Sequence, residues 1–176
     1  VSIPLRVRRF AAAPLPVGPA LTPLMAEDLL TLIPSLPSPR SPLCIPANLP
    51  QLDWHFARGQ FYAGLAGRQI PTEVGARCGD AVAIWDVDFR PDCRRVRVLL
   101  LAAEKPSEQV QRVPQAAAAV AAQVGLPFAE VWETAALTPI LDGGTELPAD
   151  DLPMICPLAP DVHAADFLDV QRFHWL

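Results

Sequence analysis

The segment from Asp80 to Glu104 constrains the fold more than any other stretch of this sequence. Apolar and polar residues largely alternate over residues 81–89, which is typical of a β-strand with one face in water. The next four residues, Arg90-Pro91-Asp92-Cys93, favour a turn, because proline fixes φ and aspartate can bond its own backbone. The apolar run that follows predicts a second strand, covered on both faces. Residues 81–103 are therefore predicted to form an antiparallel hairpin at the centre of a sheet.

The rest of the chain adds helices and further strands to this hairpin. Ser107 and Gly125 have the chemistry of a helix N-cap and a helix stop, which predicts a helix that ends at Val124. Thr22-Pro23 resembles a helix start, whereas the glycines after Gln60 favour a strand. Further elements are predicted as strands over residues 2–10 and 128–133, and as short helical segments over residues 134–141 and after Asp161. We predict an α+β fold with a mixed, mainly antiparallel sheet and two to four helices packed on it.

Length and proline content set the domain organisation. A chain of 176 residues is long enough to bury one sizeable core, and we expect a single domain over residues 1–176. Six of the 21 prolines fall between Pro34 and Pro50. No regular helix or central strand survives that density, so residues 34–50 are predicted to be an extended surface segment or a linker.

Charge and hydropathy exclude several classes of partner. The net charge of −5 argues against nucleic acid as a general partner. No uninterrupted apolar run approaches the ~18 residues that a membrane-spanning helix needs. The N-terminal residues lack the apolar centre of a signal peptide, so we expect a cytoplasmic protein.

The cysteines and histidines show no metal-binding spacing. Cys44, Cys78, Cys93 and Cys156 form no C-x-x-C pair, so no metal site is expected, and reduced thiols fit an intracellular protein. Neither the Walker pattern nor the dinucleotide fingerprint occurs, and no cofactor is expected.

The candidate catalytic residues are His55, Asp86 and Asp88. Asp86 and Asp88 are two apart on the first hairpin strand and so project from one face. Two carboxylates there either face water or bind a cation or an acid/base partner. We favour the solvated face, because arginines of the paired strand can neutralise them. His55 follows Asp53 by two residues, and we interpret it as a structural histidine.

A second candidate site is an anion-binding loop. Asp142, Gly143, Gly144 and Thr145 follow an apolar run, and glycines let backbone N–H groups approach a phosphate. The same sequence is also an ordinary hairpin turn. Positive charge for binding an anionic ligand could come from Arg94, Arg95 and Arg97. A solvated hairpin end explains this cluster of arginines as well.

One stretch of the chain resembles a known family. Residues 96–141 read VRVLLLAAEKPSEQVQRVPQAAAAVAAQVGLPFAEVWETAALTPIL. They contain a strand that ends in small residues, a short polar break, a helix that closes with Gly-Leu, another strand and a further short helix. In this order of elements, residues 81–141 resemble part of the actin-like assembly proteins of type IV pili and type II secretion. The resemblance implies a cytoplasmic scaffold that binds partner subunits at the inner membrane, with a phosphate loop after the last element.

These observations favour a non-catalytic interaction or assembly module that binds partner proteins. The sequence contains no convincing catalytic constellation, which argues against an enzyme, and self-association is one open arrangement. The alternative is a small enzyme that acts on an anionic small molecule through residues 142–145, the hairpin arginines and a histidine or aspartate base. A single cleft containing His55, Asp86 or Asp88, and an arginine would favour the enzyme.

Overall fold

The predicted hairpin lies in the middle of a seven-stranded sheet. The computed structural model describes residues 6–35, 48–103, 107–133 and 141–148. The strands are β1 (Arg6–Ala11), β2 (Thr22–Leu24), β3 (Gly75–Cys78), β4 (Ala81–Asp88), β5 (Arg95–Ala102), β6 (Phe128–Glu133) and β7 (Thr145–Pro148), and the α-helices are α1 (Leu29–Leu32), α2 (Leu49–Leu65) and α3 (Glu108–Val124). The strand order is β2-β3-β4-β5-β6-β1-β7. All neighbours are antiparallel except β5 and β6, so the predicted mixed, mainly antiparallel α+β fold is confirmed.

A β-bulge interrupts the central hairpin. Ile84 pairs with Leu100 and Trp85 pairs with Val98, so Leu99 is an extra residue in β5. Two residues of β5 therefore oppose one residue of β4, which bends the bulged strand and increases its twist. The parallel pairing of β5 with β6 ends at Val98, although β5 continues to Ala102.

The two faces of the sheet bury two different clusters. Side chains alternate across a strand, so Ala83, Trp85 and Val87 contribute to the face that α3 covers, with Val82 and Ile84 on the other. The second cluster joins the sheet to α1 and α2 through Leu29, Leu32 and Leu52. Every residue of β4 is buried, which corrects the expectation that one face of this strand lies in water.

Helix α3 is the predicted crossover between β5 and β6. The Ser107 side chain accepts a hydrogen bond from the Val110 N–H at 3.4 Å, and Gly125 ends the helix with φ at 74°. Small residues such as Ala117 and Ala121 are fully buried, so the helix lies close to the sheet. The match with the prediction follows from local chemistry, because both caps are readable in the sequence.

Three local predictions are wrong. Residues 22–24 form strand β2 against β3 rather than a helix start. Residues 60–65 continue α2 rather than forming a strand, and Asn48 caps the start of this helix by accepting the Gln51 N–H at 3.0 Å. The helix ends at Leu65, and two residues later Gly67 has a φ of 64° and the Arg68 N–H bonds the Ala63 carbonyl at 2.8 Å. Strand β7 lies where a turn and loop were expected.

Several expectations fall outside the described residues. They concern most of the proline-rich segment 34–50, Cys44, Cys156, the short helix within residues 134–141 and the segment after Asp161. The extent of the domain over residues 1–176 stays a prediction. Within the residues described, no helix combines the length and the apolar character that crossing a membrane requires.

Gly59 offers a test of how closely α2 approaches the sheet. A Cβ atom at Gly59 would lie 2.9 Å from the Val87 carbonyl oxygen, whereas one at Gly64 would meet nothing within 4 Å. Alanine favours a helix over glycine by up to about 1 kcal/mol, but the contact with Val87 costs about 1–3 kcal/mol. We therefore expect Gly59→Ala to lower the free energy of unfolding by about 1–2 kcal/mol.

Gly64→Ala is the matched control, and we expect it to raise the free energy of unfolding by up to about 1 kcal/mol. Urea denaturation followed by circular dichroism measures both. Stabilisation by both substitutions would contradict the close approach of α2 to β4.

Candidate functional site

A band of charged side chains crosses four neighbouring strands on the face that α2 covers. Register places Asp86 opposite Arg97, Asp88 opposite Arg95, and Glu130 beside both Arg97 and Arg9. Residues that are directly opposite share a face of the sheet, so the charges alternate from strand to strand. Three carboxylates thus face three guanidinium groups. We call this set the charged band: Arg9, Asp86, Asp88, Arg95, Arg97 and Glu130.

Arg97 is the central cation of the charged band. Its Nε donates to Asp86 Oδ1 at 2.9 Å, and its Nη2 bonds Asp86 Oδ2, which makes a bidentate pair. Its Nη1 lies 3.5 Å from Asp88 Oδ2. The side chains of all three residues are buried, so these ionic contacts are shielded from water. Each charge therefore depends on its partner to offset the cost of burial.

Arginines also pair with the other two carboxylates of the charged band, Glu130 and Asp88. Arg9 donates to Glu130 Oε2 at 3.0 Å, and Arg95 Nη1 approaches the same oxygen at 3.3 Å. Asp88 accepts from the Nε of Arg90 at 3.0 Å and from its Nη2 at 2.7 Å. Because Arg90 begins the hairpin turn, this contact ties the turn to the buried part of β4.

Helix α2 brings two further side chains to Asp86, a histidine and a second arginine. His55 Nδ1 lies 3.4 Å from Asp86 Oδ2, and Arg58 Nη2 donates to the same oxygen at 3.1 Å. Arg58 Nη2 is also 3.1 Å from His55 Nδ1. The guanidinium of Arg58 then stacks on Trp54 at 4.5 Å from the ring centroid. One arginine therefore connects a buried carboxylate to an exposed tryptophan.

Burial and charge act on Asp86 in opposite directions. Removal from water raises the pKa of Asp86 above its ordinary value, while the hydrogen bond and charge of His55 and the charge of Arg58 act to lower it. His55 is 1% exposed and Asp86 is 3% exposed. The three groups of the sequence hypothesis thus converge, but in a closed interior rather than in a cleft that a substrate can enter.

Asp142, Gly143, Gly144 and Thr145 lie elsewhere, at the start of β7. The Gly143 N–H bonds the Asp142 side chain at 2.8 Å, and the Asp142 N–H bonds Gln111 at 2.8 Å. Both glycines have positive φ, and a Cβ atom at Gly144 would lie 2.8 Å from the Arg9 carbonyl. Two loop amides are therefore already used within the chain. A cavity of about 460 Å³ adjoins the loop, with Phe10, Gln115, Gly144 and Thr145 in its wall.

The structure separates the residues that the sequence grouped. Arg95 and Arg97 are buried in the charged band, which corrects their interpretation as a solvated hairpin end, whereas Arg94 is exposed. Asp86 and Asp88 are buried as well, so the expected solvated face is wrong although their neutralisation by Arg97 is confirmed. Sequence analysis missed Arg58 and Glu130. The position of Arg58 one helical turn after Trp54 and His55 is the signal that could have identified it.

The thiols of the described residues offer no activated nucleophile. Cys78 and Cys93 are free, and burial raises the pKa of both above the usual range of a thiol. A nucleophilic cysteine needs a lowered pKa, which favours the thiolate. No group of three His, Cys, Asp or Glu side chains within residues 6–35, 48–103, 107–133 and 141–148 is arranged to hold a metal ion.

Comparison with known proteins identifies the family. The model of the LYC1 GNAT-like C-terminal domain matches residues 19–149, which is more than half of the chain. The chain belongs to this family. GNAT-like domains have an acetyltransferase fold, and such a domain can be a non-catalytic module. Searches for similar curated proteins and for similar solved structures found no match.

Membership of the GNAT-like family corrects the resemblance to actin-like assembly proteins, which is wrong. That resemblance rested on the order strand, helix, strand in residues 81–141. Any parallel βαβ crossover has this order, so the order does not distinguish a GNAT-like domain from an actin-like one.

The charged band gives a stability prediction for the GNAT-like domain. Arg97→Met leaves Asp86 buried without its bidentate partner, and breaking such a pair costs about 3–5 kcal/mol. We expect Arg97→Met to lower the free energy of unfolding by about 3 kcal/mol, as measured by urea denaturation.

Arg77→Met on strand β3 of the same sheet is the control for Arg97→Met, because Arg77 is exposed. Its expected effect is within about 0.5 kcal/mol. Equal effects of the two substitutions would show that the Asp86–Arg97 pair adds no stability.

Proposed function

We propose that this GNAT-like domain is a non-catalytic module that binds protein through the exposed face of α2. The observation that carries the proposal is an apolar stripe on that helix. Trp54, Phe61 and Leu65 are 53%, 62% and 70% exposed. Their spacing, with Ala57 between them, puts them on one side of the helix. We call Trp54, Ala57, Phe61, Gly64 and Leu65 the α2 stripe.

The α2 stripe has the features of a binding hot spot. Tryptophan is among the residues that most often dominate binding energy, and here the Arg58 guanidinium stacks on Trp54. Arg58 is itself held by buried Asp86. An anchor whose orientation is set before binding loses less conformational entropy on association. The buried charges thus orient an exposed contact residue, which gives them a structural role that involves no catalysis.

The start of α3 argues against the binding of an acyl-CoA donor. A CoA pyrophosphate needs free N–H groups and positive charge, which glycine-rich loops at helix N-termini supply. The sequence has no glycine between Gly79 and Gly125. The Ser107 side chain already caps the helix, and Glu108 adds negative charge to its first turn. The residues at this helix start do not fit the pyrophosphate.

The enzyme hypothesis has one observation in its favour. The cavity of about 460 Å³ beside Gly144 and Thr145 is within the usual size range of ligand sites. The exposed carboxylate of Asp142 accepts the Gly143 N–H, and it repels an anion from the place where the loop amides would bind one. The interior position of His55 and Asp86 also keeps them from a substrate in that cavity.

Ligand binding separates the module from the enzyme. We expect no change in the Tm of the chain with acetyl-CoA, CoA or inorganic pyrophosphate, because the start of α3 is capped by Ser107 and carries Glu108, and two amides of the loop at residues 142–145 are bonded within the chain. Differential scanning fluorimetry and isothermal titration calorimetry provide the measurement. Saturable binding of acetyl-CoA with a Kd of about 100 μM or tighter would overturn the non-catalytic proposal.

Photo-crosslinking locates the binding surface. We expect benzoylphenylalanine at position 61 to form protein adducts in a lysate of the source organism, because Phe61 lies at the centre of the α2 stripe. The same amino acid at position 30 is the control, since Leu30 is equally exposed at 62% but lies on α1. Adducts of equal yield from both positions, or none from position 61, would contradict a binding role for α2.

A further inference from the structure

Charges of opposite sign lie at the two ends of the α2 stripe. Asp53 precedes Trp54 at one end, and Arg68 follows Leu65 at the other. The midpoint of Trp54 and Leu65 falls between Gly59 and Gln60, and the midpoint of Asp53 and Arg68 falls between Gln60 and Phe61. The two midpoints are one residue apart, and Arg68 lies just beyond the end of α2, after the left-handed turn at Gly67. One two-fold axis close to Gln60 can therefore bring the apolar residues of two antiparallel helices together and place the charges near each other at both ends.

We infer that the occupant of the α2 stripe is a second copy of this chain, with the two α2 helices antiparallel. This inference rests on the proposed function, because it names the partner of the same surface. An isologous interface requires a self-complementary patch. In the antiparallel arrangement Trp54 of one copy meets Leu65 of the other, and Asp53 of each copy faces Arg68 of the other.

The orientation follows from charge. Asp53 and Arg68 are both exposed, and neither makes an ion pair within the part of the chain that the structure describes. A parallel pair of helices would set Asp53 against Asp53 and Arg68 against Arg68, which like charges disfavour. The antiparallel pair sets each carboxylate against a guanidinium at both ends. Charge complementarity therefore selects one of the two possible orientations.

Small residues allow the two helices to come close. Ala57 and Gly64 lie on the same side as Phe61, and the position of a Cβ atom at Gly64 is open space. Each aromatic ring of one copy can enter the gap beside a small residue of the other, as knobs enter holes. Arg58 lies at the edge of the stripe, and its contact with Asp86 offsets part of its charge.

The size of the surface sets the expected affinity. A 17-residue helix is about 25 Å long, and two such helices bury less than the ~800 Å² per partner of a standard interface. We expect a reversible dimer with a Kd on the order of 10–100 μM, which weakens as salt rises.

Charge reversal tests this arrangement by sedimentation equilibrium of the full chain over concentrations from about 1 to about 500 μM. We expect Asp53→Arg and Arg68→Asp each to weaken the dimer about fivefold to tenfold, because each creates two like-charge contacts. The double variant restores the pairs with reversed signs, so its Kd should return to within about threefold of the original. Single variants that weaken the dimer without rescue in the double variant would overturn the antiparallel pairing.

Phe61→Glu is the second variant, and it should abolish dimerisation by placing two carboxylates at the two-fold axis. Leu30→Glu is its matched control, because Leu30 has the same exposure on a different helix. Circular dichroism confirms that each variant is folded. A dimer that persists in Phe61→Glu would overturn the inference.

Two results separate this inference from the proposed function. A chain that is monomeric at every concentration, yet forms adducts with other proteins from position 61, overturns the second copy and leaves protein binding by α2 intact. A monomeric chain with no adducts from position 61 overturns both. Homodimer adducts from position 61 whose yield falls in the Asp53→Arg variant and recovers in the double variant support both.

Discussion

A carboxylate in the interior of a sheet must be surrounded by positive charge, and Asp86 has it from two directions. Arg97 reaches it from the neighbouring strand, and Arg58 reaches it from α2. Removing these ions from water costs several kcal/mol each, and the cost is offset only when the pairs are bidentate and fully bonded. The position of α2 on the sheet is therefore tied to the position of Arg97 in β5. Through Arg58 the same interaction also orients Trp54 on the outer side of the helix.

The bulge at Leu99 lets one face of the sheet carry both charge and apolar packing. Arg97 and Leu99 project to the same face, and the extra residue brings Leu100 to that face as well. The hairpin end of the face is consequently ionic, whereas the other end is apolar and is covered by α1. Helix α2 spans both ends, because Leu52 enters the apolar cluster and His55, one turn later, reaches Asp86. The fully buried character of β4 follows from this double cover.

The acetyltransferase fold does not by itself assign a reaction to this chain. Polar residues that look catalytic in the sequence form a closed network, and the start of the crossover helix is capped and acidic. In the function that we propose, the fold is a rigid support for one exposed helix. The α2 stripe is then the surface that recognises a partner, and the charged band holds that stripe in place.

How much of this could be read from the sequence differs from element to element. The hairpin, α3 and β6 were predicted because period-two alternation, a serine cap and a C-terminal glycine are local signals. The last part of helix α2, residues 60–65, was wrongly predicted as a strand, because Gly64 and Gly67 lower the helix propensity of this segment. Gly59 is needed where the helix meets the Val87 carbonyl, and that contact is not a local property. Strand β2 was missed for a similar reason, since its three residues are defined only by their pairing with β3.

The candidate site shows the same division. The sequence alone determined that Asp86 and Asp88 share a face and that arginines of the next strand could pair with them, because both facts follow from the two-residue period of a strand. Only the tertiary structure decided that this face is buried, that α2 brings His55 and Arg58 to Asp86, and that Glu130 extends the band. Residues from distant segments became neighbours there because charges that leave water must be paired, and the partners of Asp86 come from two other elements of the fold, β5 and α2.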